Sequence, residues 1–325
     1  MNRILKYKES LLKFIRDRSC LFDKSNLPDE KIETTLLNRI KTSNMILPIL
    51  FLTIMNSQNK KNNISIQGYY TASSIEFAEL LFYFLEHKDE VLMNLNHNLY
   101  EKMLKYLILC TNRSIYQNLD SINRFLQPTN FTTIFINIMS IYNDNISYQN
   151  LLADIKLEYS ETKPNKDLEK WYIKDNQALK QAFNTIKQIK RETFMNYINK
   201  KIGSLCEMAL CMGWILGGGE PSELPKIRKI SRYFTMIYKL ARDFCTIDDD
   251  LKNAKNGVTW NYIINYGLQE SYELFMHNKQ KFIQETMMID IYTTTIKEII
   301  DCIEIKVDAI IDETSPDLKS TCSTL

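Results

Sequence analysis

The chain has 325 residues, of which 45% are hydrophobic, 11% aromatic and 25% charged, with a formal net charge of +2. That balance excludes an intrinsically disordered chain and leaves no basic footprint for nucleic acid or for an anionic membrane surface. Only 8 glycines and 7 prolines interrupt it, and between them apolar residues recur every three or four positions, so the fold is predicted to be all-α.

The N-terminal stretch MNRILKYKESLLKFIRDRS is charged throughout and lacks an apolar signal core. The longest apolar run, Met45 to Met55, is about half a membrane span and contains Pro48, so no transmembrane segment is expected. The 7 cysteines form no CxxC pair, have no histidine at metal-binding spacing and mostly sit in apolar runs. A reducing, cytoplasmic location is expected. Polar interruptions fall at SCLFDKSNLPDEK, NSQNKKNNISIQG, QPTN, YSETKPNKD and GGGEPSELP. None is much longer than an ordinary inter-helix loop, so residues 1–312 are predicted to form one domain of roughly ten or more helices, followed by a polar tail over 313–325.

Ser74 to Leu85, SIEFAELLFYFL, is apolar enough to be buried and ends in EHKDE, a small polar cluster containing Glu86, His87, Asp89 and Glu90. His87 is read as an ordinary helix-terminal histidine; His97 and His277 belong to no constellation. Ile202 to Leu216, IGSLCEMALCMGWIL, is hydrophobic on almost every face and is predicted to be a central helix, opened by Lys200 and Lys201. Gly217 to Gly219 lack the preceding strand and following Lys-Ser/Thr of a phosphate loop, so they are read as a helix C-cap and turn.

Next comes KIRKISRYFTMIYKLARDFCTI, where Ile227, Ile230, Phe234, Ile237, Leu240, Phe244 and Ile247 keep helical spacing up to four aspartates, Asp243, Asp248, Asp249 and Asp250. If the helix continues, Asp243, Thr246 and Asp250 share one face, Arg242, Cys245, Asp249 and Lys252 lie near its neighbour, and Asp248 falls between. Crowded carboxylates repel unless something positive sits among them. A hard cation such as Mg2+, shared between a few carboxylates and the phosphates of a substrate, satisfies that need. A solvated helix end is the plain alternative.

The segment from Lys200 to Leu251 resembles the trans-isoprenyl diphosphate synthases of the class I terpenoid synthase superfamily: a Lys-Thr helix, a small-residue turn, and a helix ending in the second aspartate-rich motif. That motif reads Phe-Gln, two residues, then Asp-Asp-x-x-Asp. Phe244, Cys245, Asp248 and Asp249 match it in order, with Cys for Gln, and Lys252 stands where the last aspartate would. KTSNMILPILFL, with Lys41 and Pro48, resembles the family's Gly-Lys-x-x-Arg-Pro segment but lacks its glycines and second arginine. At the first aspartate-rich motif only Asp89 and Glu90, with Glu86 and His87 nearby, stand in for Asp-Asp-x-x-Asp. The resemblance covers about residues 30 to 310.

The resemblance implies a class I terpenoid synthase helical bundle around a central cavity and Mg2+ as cofactor. It implies an allylic isoprenyl diphosphate and isopentenyl diphosphate as substrates, and a homodimer or a heteromer with a related synthase. On these residues it implies Asp248, Asp249 and Lys200 as catalytic groups, and Asp248, Asp249, Asp89 and Glu90 as metal ligands. Lys200, Lys201, Lys252, Arg39 and Lys41 are implied as diphosphate contacts, and Phe82, Tyr83 and Phe84 as residues lining the prenyl-chain cavity. Two other functions remain open. A non-catalytic homologue that binds and tunes a partner synthase fits the thinned acidic motifs. A terpene cyclase fits the alternative spacing of Arg242, Thr246 and Asp250. The C-terminal CSTL has the outline of a prenylation box at Cys322, but its polar middle and the lack of a polybasic run favour coincidence.

Overall fold

A computed structural model describes residues 2–314 apart from 24, 26, 125, 153, 154, 165, 175 and 255; Cys322 and most of the polar tail lie outside the described residues. Among the described residues there are fifteen α-helices and no β-strand beyond one isolated bridge between Tyr159 and Ile189. None of these helices is long and apolar enough to cross a membrane. The chain groups into two compact units, one of Met1–Ala153, Ser204–Ser231 and Thr293–Glu298, the other of Asp154–Gly203, Arg232–Tyr292 and Ile299–Leu325. Because they interleave along the chain, no shift in composition announces them.

The first unit holds α1 (Asn2–Arg18), α2 (Glu30–Thr42), α3 (Ile46–Lys61), α4 (Tyr69–Glu86), α5 (Lys88–Leu92), α6 (His97–Asn123) and α7 (Pro128–Asn145). Next in chain order, α8 (Gln177–Asn184) and α9 (Arg191–Ile198) belong to the second unit, and α10 (Ser204–Leu216) returns to the first. As its all-round hydrophobicity predicts, α10 is central, packed against α3, α4 and α7 with every residue but Glu207 buried. The approach to α3 is close: a Cβ on Gly213 would stand 2.8 Å from the Phe51 carbonyl oxygen, so this position admits only glycine without movement. Gly218, at φ 84°, ends α10 as the sequence predicts. The Gly218 and Gly219 N–H groups donate to the Ile215 and Trp214 carbonyls, and the Asn62 amide donates to the Gly217 and Gly218 carbonyls.

α11 (Leu224–Cys245) starts in the first unit and ends in the second. The second unit continues with α12 (Ile247–Lys252), α13 (Tyr262–Tyr266), α14 (Leu268–Met288) and the greater part of α15 (Thr294–Thr314). Phe234 of α11 packs on Phe282 of α14, ring centroids 5.3 Å apart. Phe194 of α9 sits edge-on to Trp260, Tyr262 and Tyr266, and Tyr197 stacks on Trp260 at 4.0 Å. The Phe194 and Tyr197 rings hold the 260–266 segment against α9.

Candidate functional site

In the second unit the aspartates do not ride on one continuous helix. The structure corrects that expectation: α11 ends at Cys245, Thr246 takes φ −120° and ψ 13°, and α12 begins at Ile247. The cause lies outside the local sequence. The Asp243 carbonyl, which a continuing helix would commit to residue 247, accepts instead from the Thr246 N–H at 3.3 Å and the Asn261 amide at 2.8 Å. The Thr246 hydroxyl and the Asn261 amide both donate to the same Asp250 carboxylate oxygen, at 2.6 and 2.8 Å.

The face predicted to gather Asp243, Thr246 and Asp250 does gather, but its polar atoms are spent on one another. Asp243 is anchored hardest. It is buried, receives Lys239 Nζ at 2.5 Å and the Tyr262 N–H at 2.8 Å, while Lys239 also donates to the Trp260 carbonyl at 2.6 Å. Burial pushes the Asp243 carboxyl up to about 6 against the opposing pull of Lys239. Sequence reading missed Lys239; its i,i+4 spacing from Asp243 was the available signal. Thr246 and Asp250 bond each other, so in the cyclase-type set of Arg242, Thr246 and Asp250 the Asp250 Oδ2 is already taken by Thr246 and Asn261.

Asp248 and Asp249 are the carboxylates left over. Asp249 is exposed. Asp248 is half-buried, its Oδ1 is shielded from solvent with the Tyr172 hydroxyl beside the carboxylate, and its Oδ2 lies 4.0 Å from Lys252 Nζ, a weak surface pair. That hydroxyl, donating to the Asp248 carboxylate, is pushed up by burial first and by this hydrogen bond next. Lys200 and Lys201 are half-buried in the π-helical turn Asn199–Gly203 that joins α9 to α10.

In the first unit, Arg39, Tyr83, Phe84 and Glu90, to which the sequence assigns three different roles, line one cavity of about 750 Å3 bounded by α2, the end of α4 and α5. Lys41 and Asp89 are exposed and Phe82 is buried; none of the three lines this cavity. The Arg39 guanidinium lies 3.7 Å over the Tyr83 ring, and Tyr83 stacks on His87 at 4.2 Å. His87 is therefore a half-buried member of a cation–aromatic stack, with Nδ1 2.9 Å from the Tyr83 carbonyl, rather than a solvent-exposed helix end. Glu76, deep in the apolar stretch of α4, is fully buried.

Magnesium demands oxygen ligands and is held by one or two carboxylates together with waters and substrate phosphates. Among the described residues no group of three or more His, Cys, Asp or Glu is arranged to hold a metal ion. The donor set therefore does not fit a metal bound by protein alone. Asp248, a half-buried carboxylate in no strong ion pair, fits an ion that brings its own phosphate ligands.

No protein-family model matches the chain, and no curated protein matches it. Solved structures do. A geranyltransferase from Helicobacter pylori superposes with TM-score 0.58 at 14% identity, over 94% of this chain and 96% of that one. The chain has the all-α helical-bundle fold of the class I terpenoid synthases. An FPP/GFPP synthase from Zymomonas mobilis (TM-score 0.56, 10% identity, 88% of this chain and 92% of that one) shares this terpenoid synthase bundle. So does a geranyltransferase from Legionella pneumophila (TM-score 0.53, 11% identity, 96% of each chain). The bundle is the one that the sequence resemblance implies.

Proposed function

We propose that this chain belongs to the isoprenyl diphosphate synthases and is a Mg2+-dependent prenyltransferase that condenses an allylic diphosphate with isopentenyl diphosphate, as a homodimer or with a related synthase. The observation that carries this reading is Asp248: a half-buried carboxylate in no strong ion pair, on a short helix pinned by Asp250 and Asn261, in a chain with the terpenoid synthase bundle. In the second unit Asp248 and Asp249 are the proposed metal carboxylates and Lys200, Lys201 and Lys252 the proposed diphosphate contacts. In the first unit Asp89 and Glu90 are the proposed carboxylates, Arg39 and Lys41 the contacts to a second diphosphate, and Phe82, Tyr83 and Phe84 the apolar lining for a prenyl chain.

Bound Mg2+ would offset the negative charge that builds on a departing diphosphate. The lysines do the same by direct charge-assisted hydrogen bonds to the phosphate oxygens, which strengthen as the C–O bond breaks. Apolar side chains keep water from the allylic cation until the second substrate's double bond attacks it. A second reading, a non-catalytic homologue that binds and tunes a partner synthase, is favoured by the lack of a three-carboxylate group among the described residues.

Product formation from isotope-labelled isopentenyl diphosphate and an allylic diphosphate separates the two. The synthase reading expects product from the wild-type chain and none from Asp248→Ala, with an unchanged circular dichroism spectrum. Absence of product from the wild type, with stimulation of an added synthase that Asp248→Ala preserves, would support the regulatory reading instead.

A further inference from the structure

Glu76 stands out in the first unit as a fully buried carboxylate that forms no ion pair among the described residues. It is 0% exposed, and apart from the Ser43 hydroxyl neither of its oxygens has a hydrogen-bond partner among the described residues. Its neighbour one turn along the same helix is Glu79, a second carboxylate. Close by, at the end of α2, the Arg39 Nε is likewise shielded from water with no hydrogen-bond partner among the described residues. The Arg39 charge is felt at Glu76, which sets an unspent donor near a carboxylate with only a hydroxyl to bond it. The rest of the Arg39 guanidinium is committed outward, over the Tyr83 ring that lines the cavity and toward the Thr42 hydroxyl at 3.4 Å.

The charged groups around Glu76 are few. Glu79 comes from its own helix, Arg39 and the Ser43 hydroxyl from the α2–α3 junction, and Lys8 from α1. α3 carries no charge from Ile46 to Asn59. On α6, packed along α4, the charged residues Glu101, Lys102, Lys105, Arg113 and Asp120 are exposed. On α10, Glu207 is paired with Arg228. Asp89 and Glu90 of α5 are exposed at the far end of the helix. A carboxylate buried beside another carboxylate is costly unless one of the two takes up a proton.

We propose that Glu76 is a proton-binding site that sets whether Arg39 is free to bind an anion in the cavity: with its proton on, Glu76 leaves the guanidinium over Tyr83, and with its proton off it captures the Arg39 Nε–H and neutralises it. Burial, then the charge of Glu79, pushes Glu76 up to about 8, with Ser43, Arg39 and Lys8 pulling the other way, so the protonated form prevails at neutral pH. The proton site stands on the first unit alone. The anion it governs rests on the reading of Arg39 as a diphosphate contact. Glu76 is a positioning residue in this scheme, acting through Arg39.

Two measurements on the full chain test it. Infrared difference spectra between pH 6 and pH 10 should show the carbonyl band of a protonated carboxylic acid disappearing near pH 8, and Glu76→Gln should abolish that band. If Glu76→Gln does not fold, Glu79→Gln serves instead, because removing the neighbouring charge should move the band's midpoint to lower pH. Inorganic diphosphate is then titrated by calorimetry at pH 7 and pH 9 in wild type and Glu76→Gln, the ratio between the two proteins cancelling the ionisation of the ligand. If only the protonated form binds, the relative affinity of the wild type should fall about tenfold between these pH values.

No acid band at pH 6 to 7 overturns the proton site. A band that titrates near pH 8 with a flat affinity ratio overturns the coupling to Arg39. If diphosphate binds neither protein at pH 7, the diphosphate reading of Arg39 fails and the coupling with it, and the band alone decides whether Glu76 holds a proton.

Discussion

Replacing Lys239 with methionine tests whether the end of α11 is held by charge pairing or by the aromatic packing around it. Lys239 and Asp243 are 5% and 3% exposed, 2.5 Å apart, and the ammonium sits 5.7 and 5.8 Å from the Phe194 and Tyr197 rings. Methionine fills much of the lysine's volume against those rings but leaves Asp243 as a buried charge with the Tyr262 N–H as its remaining donor on that carboxylate. Removing one member of a buried ion pair costs about 3–5 kcal/mol. The double change Lys239→Met, Asp243→Asn removes the orphaned charge while its amide oxygen still accepts from Tyr262. Its deficit should be about 1–2 kcal/mol, that of a lost hydrogen bond. Urea unfolding of the wild type, both single variants and the double variant measures this, and the double variant should recover about 2–3 kcal/mol of what Lys239→Met loses.

The pH dependence gives a second, independent reading. Burial raises Asp243 from 3.8 to about 6, and Lys239 is the largest opposing influence, so without it the carboxyl rises further. A carboxyl whose folded value exceeds its unfolded value binds more protons in the folded state, so stability falls as pH rises between the two. The Lys239→Met deficit should therefore shrink at pH 5 and widen at pH 8. Equal deficits at both pH values, with a double variant as unstable as the single one, would refute the charge argument in favour of packing.

Glu76 makes the chain itself pH-sensitive in the same sense. A rise from 4.5 to about 8 corresponds to at most about 5 kcal/mol of stability lost as pH climbs through that window. Wild type should therefore lose stability from pH 5 to pH 8.5 relative to Glu76→Gln, and parallel curves in urea would contradict this. Gly213→Ala should cost about 1–3 kcal/mol, because the new methyl meets the Phe51 carbonyl at 2.8 Å and α3 and α10 must part. A melting temperature unchanged from wild type would show that the two helices yield freely.

The helical class was legible because the informative signals were local: few glycines and prolines, apolar spacing of three and four, and an α10 with almost no polar face. The glycine turn after α10 was equally local. The break at Thr246 was not, because the group that claims the Asp243 carbonyl, Asn261, lies 18 residues further along the chain. The grouping of Arg39, Tyr83, Phe84 and Glu90 around one cavity was hidden for the same reason, since only tertiary packing brings the end of α2 to the corner of α4 and α5. Glu76 was visible in principle. Two glutamates three residues apart in SIEFAELLFYFL must share a face of a buried helix, and a run that is otherwise apolar draws attention away from them.

The central claim is that Asp248 and its neighbours form a metal site only when a diphosphate completes it. Calorimetric titration of the purified chain with a non-hydrolysable allylic diphosphate analogue, in Mg2+ and again in EDTA, tests this most directly, with Mg2+ alone as the third titration. The account predicts binding of the analogue in Mg2+, little in EDTA, and no heat from Mg2+ alone. Equal binding in Mg2+ and EDTA, or no binding in either, would contradict it.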